Sequence, residues 1–547
     1  MKMANSQNKF LLICKQNAFF YFFLCLILAS FGIRMLQFGD TYSGYHLVRQ
    51  MDNLASIEDY YFEGINFLKR KVLGGGGVNG YALLELPVYQ TLVVWLSPSY
   101  EALQPTARYL NLVFSLLSVI LVFKISNSWF GRTTALYSSL FFAFAPLNLS
   151  YQRAFMMDIS TVCFCLFSTW FLIKILETPG RIWNYLFFIL FGAACVVTKP
   201  LYFLPVVMLF LTNFFLNSNP LTYSNIFEYV KSHFRLVVAF FFITASLIGW
   251  LLVVKTVNGE GQGMMGFIQW EFLLSPKFYF LMVFRFVTLI LNPFTTLMFI
   301  IGVALIWKQR RKKDEVSLIF TIPLYYALFG QINFPHEYYS LIMVPYCSII
   351  AGHGTQWLEE QLTSHELVKF QQVWKGIICL VVSLTSIIIF LLNFIIGSPG
   401  LNQTTLQIER EMATVLTPRT NSYVFMNKTG FPITDFLKHN RALFVLAKVK
   451  PLTEIEVRDR GTPISSQEVL FALRQYGQVQ ITEDKVPDFD SAELQKMFRG
   501  NLHYTLFYKY NSSQRSAIKT QMSNHTLTYS SADWLVFELK DHLPLNK

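Results

Sequence analysis

Lys308-Gln309-Arg310-Arg311-Lys312-Lys313 separates two apolar stretches, residues 286–307 and 316–332. Each is close to the roughly 20 residues a helix needs to cross the hydrocarbon core of a bilayer. Five cations in six positions between two such stretches mark a cytoplasmic loop, because Lys and Arg collect on that side. Moving outward from this loop, further apolar stretches fall at about 18–36, 107–125, 133–149, 158–175, 184–198, 200–217, 236–254, 340–357 and 376–396, eleven in all. The fifth and sixth are divided only by Thr198-Lys199-Pro200, and apolar residues just before 286 suit the membrane interface. Lys2, Lys9, Lys15, Lys124 and Arg132 share a side with the 308–313 run, which places the N-terminus in the cytoplasm. Eleven crossings then place the C-terminus outside. The first run, Ala18 to Leu36, is too long for a signal-peptide core and lacks a small-residue cleavage site, so it reads as a retained membrane helix.

The composition agrees. Of 547 residues, 53% are hydrophobic and 14% charged, with 54 Phe and a mean hydropathy of +0.40. Soluble proteins carry about 25% charged residues. A disordered chain, a fibrous protein and an ordinary cytosolic enzyme are excluded. The net charge of +12 would suit nucleic-acid binding in a soluble chain, but 16 of the 27 cations before residue 398 fall in predicted cytoplasmic segments. The charge is a topological signature, and nucleic acid is not expected as a partner. All seven Cys lie in or beside apolar segments, none follows Cys379, and no CxxC motif occurs. Cys163 and Cys165 read as buried structural thiols.

Between the spans lie two long outer segments. The first, about 37–106, contains Gly74-Gly75-Gly76-Gly77 and then Leu84-Glu85-Leu86-Pro87-Val88-Tyr89, which opens an apolar stretch ending near Pro98. That stretch is too short to span and predicts an interfacial or re-entrant helix. The second, about 255–280, contains Gly259-Glu260-Gly261-Gln262-Gly263, a lid or a linker. After about 397 the pattern changes. Ser422-Tyr423-Val424-Phe425 and Trp534-Leu535-Val536-Phe537 read as strands, and Ser466 to Tyr476 as a helix capped by Ser465 or Ser466. The predicted architecture is mostly α: a polytopic membrane helical bundle of about eleven transmembrane helices over 1–397, followed by an extracytoplasmic α/β domain over 398–547.

One set of polar residues collects on the predicted outer face: Asp40, the run His46-Leu47-Val48-Arg49-Gln50-Met51-Asp52, Glu85, Arg108, Tyr151-Gln152-Arg153 through Asp158, Lys199, and Asn333-Phe334-Pro335-His336-Glu337-Tyr338-Tyr339. Cations bind phosphate through charge-assisted hydrogen bonds. A carboxylate takes a proton from an attacking hydroxyl, and cations on a departing phosphate stabilise its developing charge. The set therefore suits a substrate with an anionic head and a lipid tail. Structural roles compete residue by residue. Arg108 and Lys199 suit headgroup anchors, although Lys199 is wedged between two apolar runs, where ionisable groups tend to be functional. Asp158 suits a helix N-cap, Tyr338 and Tyr339 an aromatic belt, and Glu85 a first helical turn. Asp40, His46 and His336 equally suit ordinary structural positions. The sequons at Asn148, Asn402, Asn427, Asn511 and Asn524 are read as chance occurrences. No ligand cluster for a metal stands out, which leaves any divalent-metal requirement open.

In order, a first helix, an acidic outer loop, E-x-P-x-Y, an Arg opening the second helix, R-x-x-x-x-D, T-K-P and H-E-Y-Y resemble the C-fold superfamily (GT-C) of polytopic membrane glycosyltransferases. Within it, the chain resembles the protein O-mannosyltransferase-like and lipid A aminoarabinose transferase group over about 20–360. His46 to Asp52 match the H-x-x-R-Q-x-D stretch of a bacterial subgroup. The resemblance implies an inverting transfer of a sugar from a polyprenyl-phosphate donor to a lipid, glycan or protein acceptor. It implies a bacterial inner-membrane protein with its C-terminal domain in the periplasm. It also implies that a first-loop carboxylate is the general base. The more usual D-E pair after the first helix is absent, so Asp52 is preferred and Asp40 is its rival. His46, Arg49, Glu85, Arg108, Arg153, Asp158, Lys199, His336, Glu337, Tyr338 and Tyr339 are implied contacts to donor phosphate or substrate. A transporter or flippase of lipid-linked saccharides, which would place charges near the midplane, and a non-catalytic scaffold are the alternatives.

Overall fold

The computed structural model describes residues 21, 23–35, 47–68, 70, 83, 85–217, 231–258, 273–309, 313–333, 336–364, 371–392, 421–427, 476–482, 504–508, 510, 512–523, 526–530 and 534–538. Asp40, His46, the Gly74–Gly77 run, the Gly259–Gly263 segment and Arg310 to Lys312 lie outside the described residues. The chain divides into two compact units, residues 1–39 with 107–392, and 40–106 with 393–547.

The regular structure of the first unit is all helix among its described residues, and helices fall in the described part of each predicted apolar stretch. Its helices are α1 (Phe23–Arg34), α4 (Leu103–Phe130), α5 (Arg132–Phe144), α6 (Pro146–Tyr151), α7 (Asp158–Glu177), α8 (Ile182–Thr198), α9 (Leu204–Asn217), α10 (Phe234–Asn258), α11 (Pro276–Arg285), α12 (Pro293–Gln309), α13 (Lys313–Asn333), α14 (Met343–Ser364) and α15 (Gln371–Phe390). By length and composition, four described helices can each cross a membrane alone: Leu103–Phe130, Asp158–Glu177, Phe234–Val257 and Val373–Phe390. Shorter apolar helices accompany them, and the protein is a multi-pass membrane protein.

Two predicted spans are broken, each for an identifiable reason. The stretch 133–149 is two helices, because Pro146 lacks an N–H and disfavours helical geometry at Ala145, whose ψ is 127°. The span predicted at 286–307 belongs to a bent pair. Its first limb is α11 with a π turn over Phe286–Ile290, its second limb is α12, and the limbs meet at 108°. Asn292 fixes the corner. Its Oδ1 accepts from the Thr295 N–H at 2.8 Å, while its Nδ2 donates to Ser386 Oγ at 2.8 Å on α15. Close packing of α5, α14 and α12 relies on glycine. A Cβ on Gly354 would land on the Met298 carbonyl, one on Gly302 on the Ile350 carbonyl, and one on Gly352 on Ser138. Small residues of this kind let membrane helices touch backbone to backbone. Cys163, Cys165, Cys195, Cys347 and Cys379 are buried free thiols, as the apolar runs around them require.

In the second unit, α2 (Leu47–Glu63) and α3 (Val88–Leu96) come from the first outer loop, and α3 falls in the predicted short apolar stretch. Five strands form one mixed sheet in the order β2-β1-β3-β5-β4. They are β1 (Asn421–Asn427), β2 (Tyr476–Thr482), β3 (Tyr504–Tyr508), β4 (Thr526–Ser530) and β5 (Trp534–Glu538), and α16 (Ser512–Gln521) connects β3 to β4. β1 pairs parallel with β2 and β3, whereas β5 pairs antiparallel with β3 and β4. Both predicted strand runs fall in β1 and β5. Tyr476, the last residue of the predicted helical pattern, instead opens β2, where Val479 and Ile481 supply the alternation of a strand.

Candidate active site

In the first unit, the site grows from two interruptions in its helices. Pro200 ends α8 and pushes Lys199 into an extended conformation, φ −146° and ψ 93°. The Lys199 side chain therefore leaves the helix end and is buried. Its Nζ lies 2.6 Å from Asp158 Oδ1, the first residue of α7. The N-cap position of α7 is Met157 and Asp158 is the first helical residue, so the charge pair, and not an N-cap role, accounts for it. Tyr202, one turn beyond Lys199, directs its hydroxyl to Asp158 Oδ1 at 2.8 Å and to the Tyr338 carbonyl at 2.9 Å.

The H-E-Y-Y segment forms a 3-10 turn over Glu337–Ile342 that covers this pair. Lys199 Nζ lies 4.8 Å from the Tyr338 ring centre and 4.6 Å from that of Tyr339, within cation–π range. The two tyrosine rings are 4.6 Å apart, and the His336 ring is 5.4 Å from Tyr338. Tyr325 donates to the Tyr339 carbonyl at 2.7 Å, so two buried phenols hold the backbone of this turn. Glu337 accepts from the Tyr151 hydroxyl at 2.6 Å and stands 4.0 Å from Arg285. Tyr338 is buried, which separates it from a lipid-facing aromatic belt.

The R-x-x-x-x-D turn, 152–158, joins α6 to α7. Arg153 is buried, with its guanidinium 5.9 Å from the Phe390 ring centre. Arg108, also buried, lies 4.6 Å over the ring of Phe155. Both cations thus meet aromatic faces, which planar guanidinium groups favour.

In the second unit, Glu85 sits between two guanidiniums. Arg49 Nη2 approaches Glu85 Oε1 to 2.5 Å, and Arg70 Nη1 approaches Glu85 Oε2 to 3.2 Å. The other Arg70 nitrogens donate to Ser56 Oγ at 3.2 Å and Asn53 Oδ1 at 3.1 Å, and Gln90 also donates to Asn53 Oδ1. Burial lowers the Arg70 pKa, and the Glu85 charge raises it in opposition. Asp52 is buried on α2 beside Asn53, and its charge favours the Arg70 cation. The carboxylate and cation of the H-x-x-R-Q-x-D run therefore share one polar cluster with Glu85.

The family model of dolichyl-phosphate-mannose-protein mannosyltransferases matches residues 101–250. Those residues include Arg108, Arg153, Asp158 and Lys199. The structure is similar to that of ArnT from Cupriavidus metallidurans bound to undecaprenyl phosphate, at 12% identity and a TM-score of 0.51, over 94% of this chain and 97% of that one. It is also similar to the Archaeoglobus fulgidus oligosaccharyltransferase in its apo form, at 11% identity and a TM-score of 0.52, over 90% of this chain and 69% of that one. A third similar structure is AglB from Archaeoglobus fulgidus with an inhibitory peptide and a dolichol-phosphate, at 10% identity and a TM-score of 0.51, over 90% of this chain and 70% of that one. This chain has the GT-C fold. No curated protein sequence matches it.

Within this fold, the structure adds residues that the motifs missed. Arg70 is fully buried in the loop cluster, yet it sits in a Lys69-Arg70-Lys71 triplet that reads as solvated charge. Tyr151, Tyr202 and Tyr325 hold the Lys199 cluster, yet tyrosine in an apolar run carries no signal of its own. Among the described residues, no three His, Cys, Asp or Glu side chains group as metal ligands.

Proposed function

We propose that this protein transfers a sugar from a polyprenyl-phosphate donor to a lipid, glycan or protein acceptor on the outer side of the membrane. The observation that carries this reading is the buried Lys199–Asp158 pair beneath Tyr338 and Tyr339 in a GT-C fold. Its residues Lys199 and Asp158 fall in the stretch matched by the mannosyltransferase family model. Two structures of the same fold hold undecaprenyl phosphate or a dolichol-phosphate. An ionisable pair kept dry inside a membrane protein is expensive and marks a functional site by default.

In the proposed reaction, Asp52 accepts the proton of the acceptor nucleophile as that nucleophile attacks the anomeric carbon. The bond from that carbon to the phosphate oxygen breaks, and the polyprenyl phosphate leaves with the electron pair. Attack opposite the leaving group inverts the anomeric centre. Lys199, Arg153 and Arg108 offer positive charge to the departing phosphate, where a low-dielectric site makes each cation count for more than in water. Asp158, itself held by Tyr202, keeps Lys199 in place, and Glu337 stands beside Arg285 at the edge of the same cluster. Arg49, Arg70 and Glu85 fix the α2 segment that carries Asp52. Asp40 is the rival base, and His46 the remaining loop contact. The charge pattern supports a cytoplasmic N-terminus and a C-terminal domain on the outer side, and the family resemblance supports a bacterial inner membrane, which makes that outer side the periplasm.

The test is an assay of the purified protein with radiolabelled polyprenyl-phosphate sugars and a panel of lipid, glycan and peptide acceptors. Label should pass to one acceptor class with inverted configuration. No transfer across the panel, together with no binding of undecaprenyl phosphate, would sink the proposal.

A further inference from the structure

Arg34 stands at the C-terminal end of α1, fully buried in the first unit. Its three guanidinium nitrogens reach three different segments. Nη1 donates to the Ser30 carbonyl on its own helix, Nη2 donates to the Ala143 carbonyl at the end of α5, and Nε donates to Gln152 Oε1 just after α6. All three acceptors are neutral. A fully buried cation held by neutral groups alone, at the end of an apolar helix, is unfavourable relative to an apolar residue, so its presence calls for a reason.

The reason lies in the backbone between Phe142 and Asp158. Pro146 has no N–H to give the Phe142 carbonyl, and the broken chain would leave polar groups unmet inside a bilayer. Three side chains meet them. Asn148 Nδ2 donates to the Phe142 carbonyl at 2.7 Å, and Arg34 takes the Ala143 carbonyl at 2.5 Å. From the other side, Asn111 Nδ2 on α4 donates to the Ala154 carbonyl at 2.7 Å and to the Met156 carbonyl at 3.0 Å. The turn that carries Arg153 and leads into Asp158 is thus gripped at its entry through Gln152 and at its exit through residues 154 and 156. A lysine could keep the charge of Arg34 but could not span three acceptors in three directions, because only guanidinium is a rigid planar fork.

We propose that Arg34 is a positioning residue for the donor phosphate: by clamping Ala143 and Gln152 it sets the 152–158 turn on which Arg153 and Asp158 stand. This rests on the reading of the site as a polyprenyl-phosphate site. The test compares the wild-type protein in detergent with Arg34→Lys, Arg34→Met and Asn111→Ala, the last loosening the same turn without touching a charge. Hydrogen exchange of peptides covering 143–158 is measured alongside affinity for undecaprenyl phosphate and for undecaprenol. All three variants should exchange faster at 143–158 with the rest of the bundle unchanged. A displaced turn costs the phosphate one charge-assisted hydrogen bond from Arg153, which should weaken undecaprenyl phosphate binding about tenfold or more and leave undecaprenol binding unchanged. Three results overturn the proposal: unchanged exchange at 143–158, wild-type phosphate affinity in Arg34→Lys, or equal weakening for the phosphate and the alcohol. If the wild-type protein itself fails to bind undecaprenyl phosphate, the donor reading falls, while the exchange data still decide whether Arg34 clamps the turn.

Discussion

Lys199 Nζ and Asp158 Oδ1 lie 2.6 Å apart with both side chains buried, although 41 residues separate them in the chain. Each neutralises the other in a medium that tolerates neither alone. Lys199→Met should therefore destabilise the bundle by about 3–5 kcal/mol, the usual result of stranding one member of a buried pair. Lys199→Met combined with Asp158→Asn removes both charges and should recover most of that loss. It should not recover donor binding, since the cation is gone. Thermal unfolding in detergent and binding of undecaprenyl phosphate separate the two effects. A double variant that binds the phosphate as well as the wild type would reduce the pair to a structural bridge.

Asp52→Asn keeps the shape of the side chain and its place beside Asn53, and removes its basicity. Transfer should fall by about 10²–10⁴-fold, the range of a positioned general base, with donor affinity and thermal stability close to wild type. Asp40→Asn, assayed in parallel, should retain activity. The opposite pattern would move the base to Asp40.

The helices were legible from the sequence because twenty apolar residues in a row have few uses outside a bilayer. Breaks inside a span were harder. Pro146 sits in a run that remains apolar on both sides, so composition alone joins α5 to α6. The corner at Asn292 lies within one continuous apolar stretch as well. Lys199, Asp158 and Arg153 stood out because charge is rare in such surroundings. Tyr202 and Tyr325 did not, since a phenol in an apolar run looks the same whether it faces lipid or bonds a buried carboxylate. Arg70 was hidden in the sequence by its neighbours Lys69 and Lys71, and only the fold shows that its guanidinium is buried.

Glu85 answers two guanidiniums at once, Arg49 and the buried Arg70. Glu85→Gln removes the carboxylate that both guanidiniums share and should loosen the α2–α3 loop more than Arg49→Gln, which removes only the more exposed partner. Limited proteolysis should cut residues 47–96 fastest in Glu85→Gln. Stability lost from an uncompensated buried charge of this kind is about 3–5 kcal/mol. Equal cleavage in the two variants would mean that Arg70 finds its balance elsewhere.

Tyr60 on α2 keeps its hydroxyl buried, with no hydrogen-bond partner among the described residues. Burial pushes its pKa up from 10.0 to about 12, with Arg70 opposing and Asp59 adding to the rise. The protonated phenol is thus favoured in the folded loop. Its contribution is fully present below pH 10 and is lost as pH climbs toward about 12. Phenolate absorbance should show Tyr60 titrating late, and Tyr60→Phe should remove that late step. Because the hydroxyl pairs with nothing among the described residues, Tyr60→Phe should be neutral or stabilising by about 1 kcal/mol. A clear loss of stability would reveal a partner for the hydroxyl.

Alanine scanning of the helix glycines should give opposite outcomes at positions that look alike in sequence. Gly354 and Gly302 face each other across α14 and α12, where a Cβ would collide with the Met298 and Ile350 carbonyls. Backbone atoms cannot swing aside as a side chain does, so Gly354→Ala must push two helices apart. Gly352, two residues earlier on α14, meets Ser138 and Thr134 of α5, so the helix is gripped from both sides and cannot shift away from either. Overpacking of this type costs about 1–3 kcal/mol where side chains can adjust, and the loss at Gly354 should reach the top of that range or exceed it. Gly249 on α10 has nothing within 4 Å of an added Cβ. Gly249→Ala should be neutral or stabilising by up to about 1 kcal/mol, the helix-propensity difference. Thermal unfolding of the two variants in the same detergent checks the contrast. Equal stability would mean that α12 and α14 do not meet backbone to backbone.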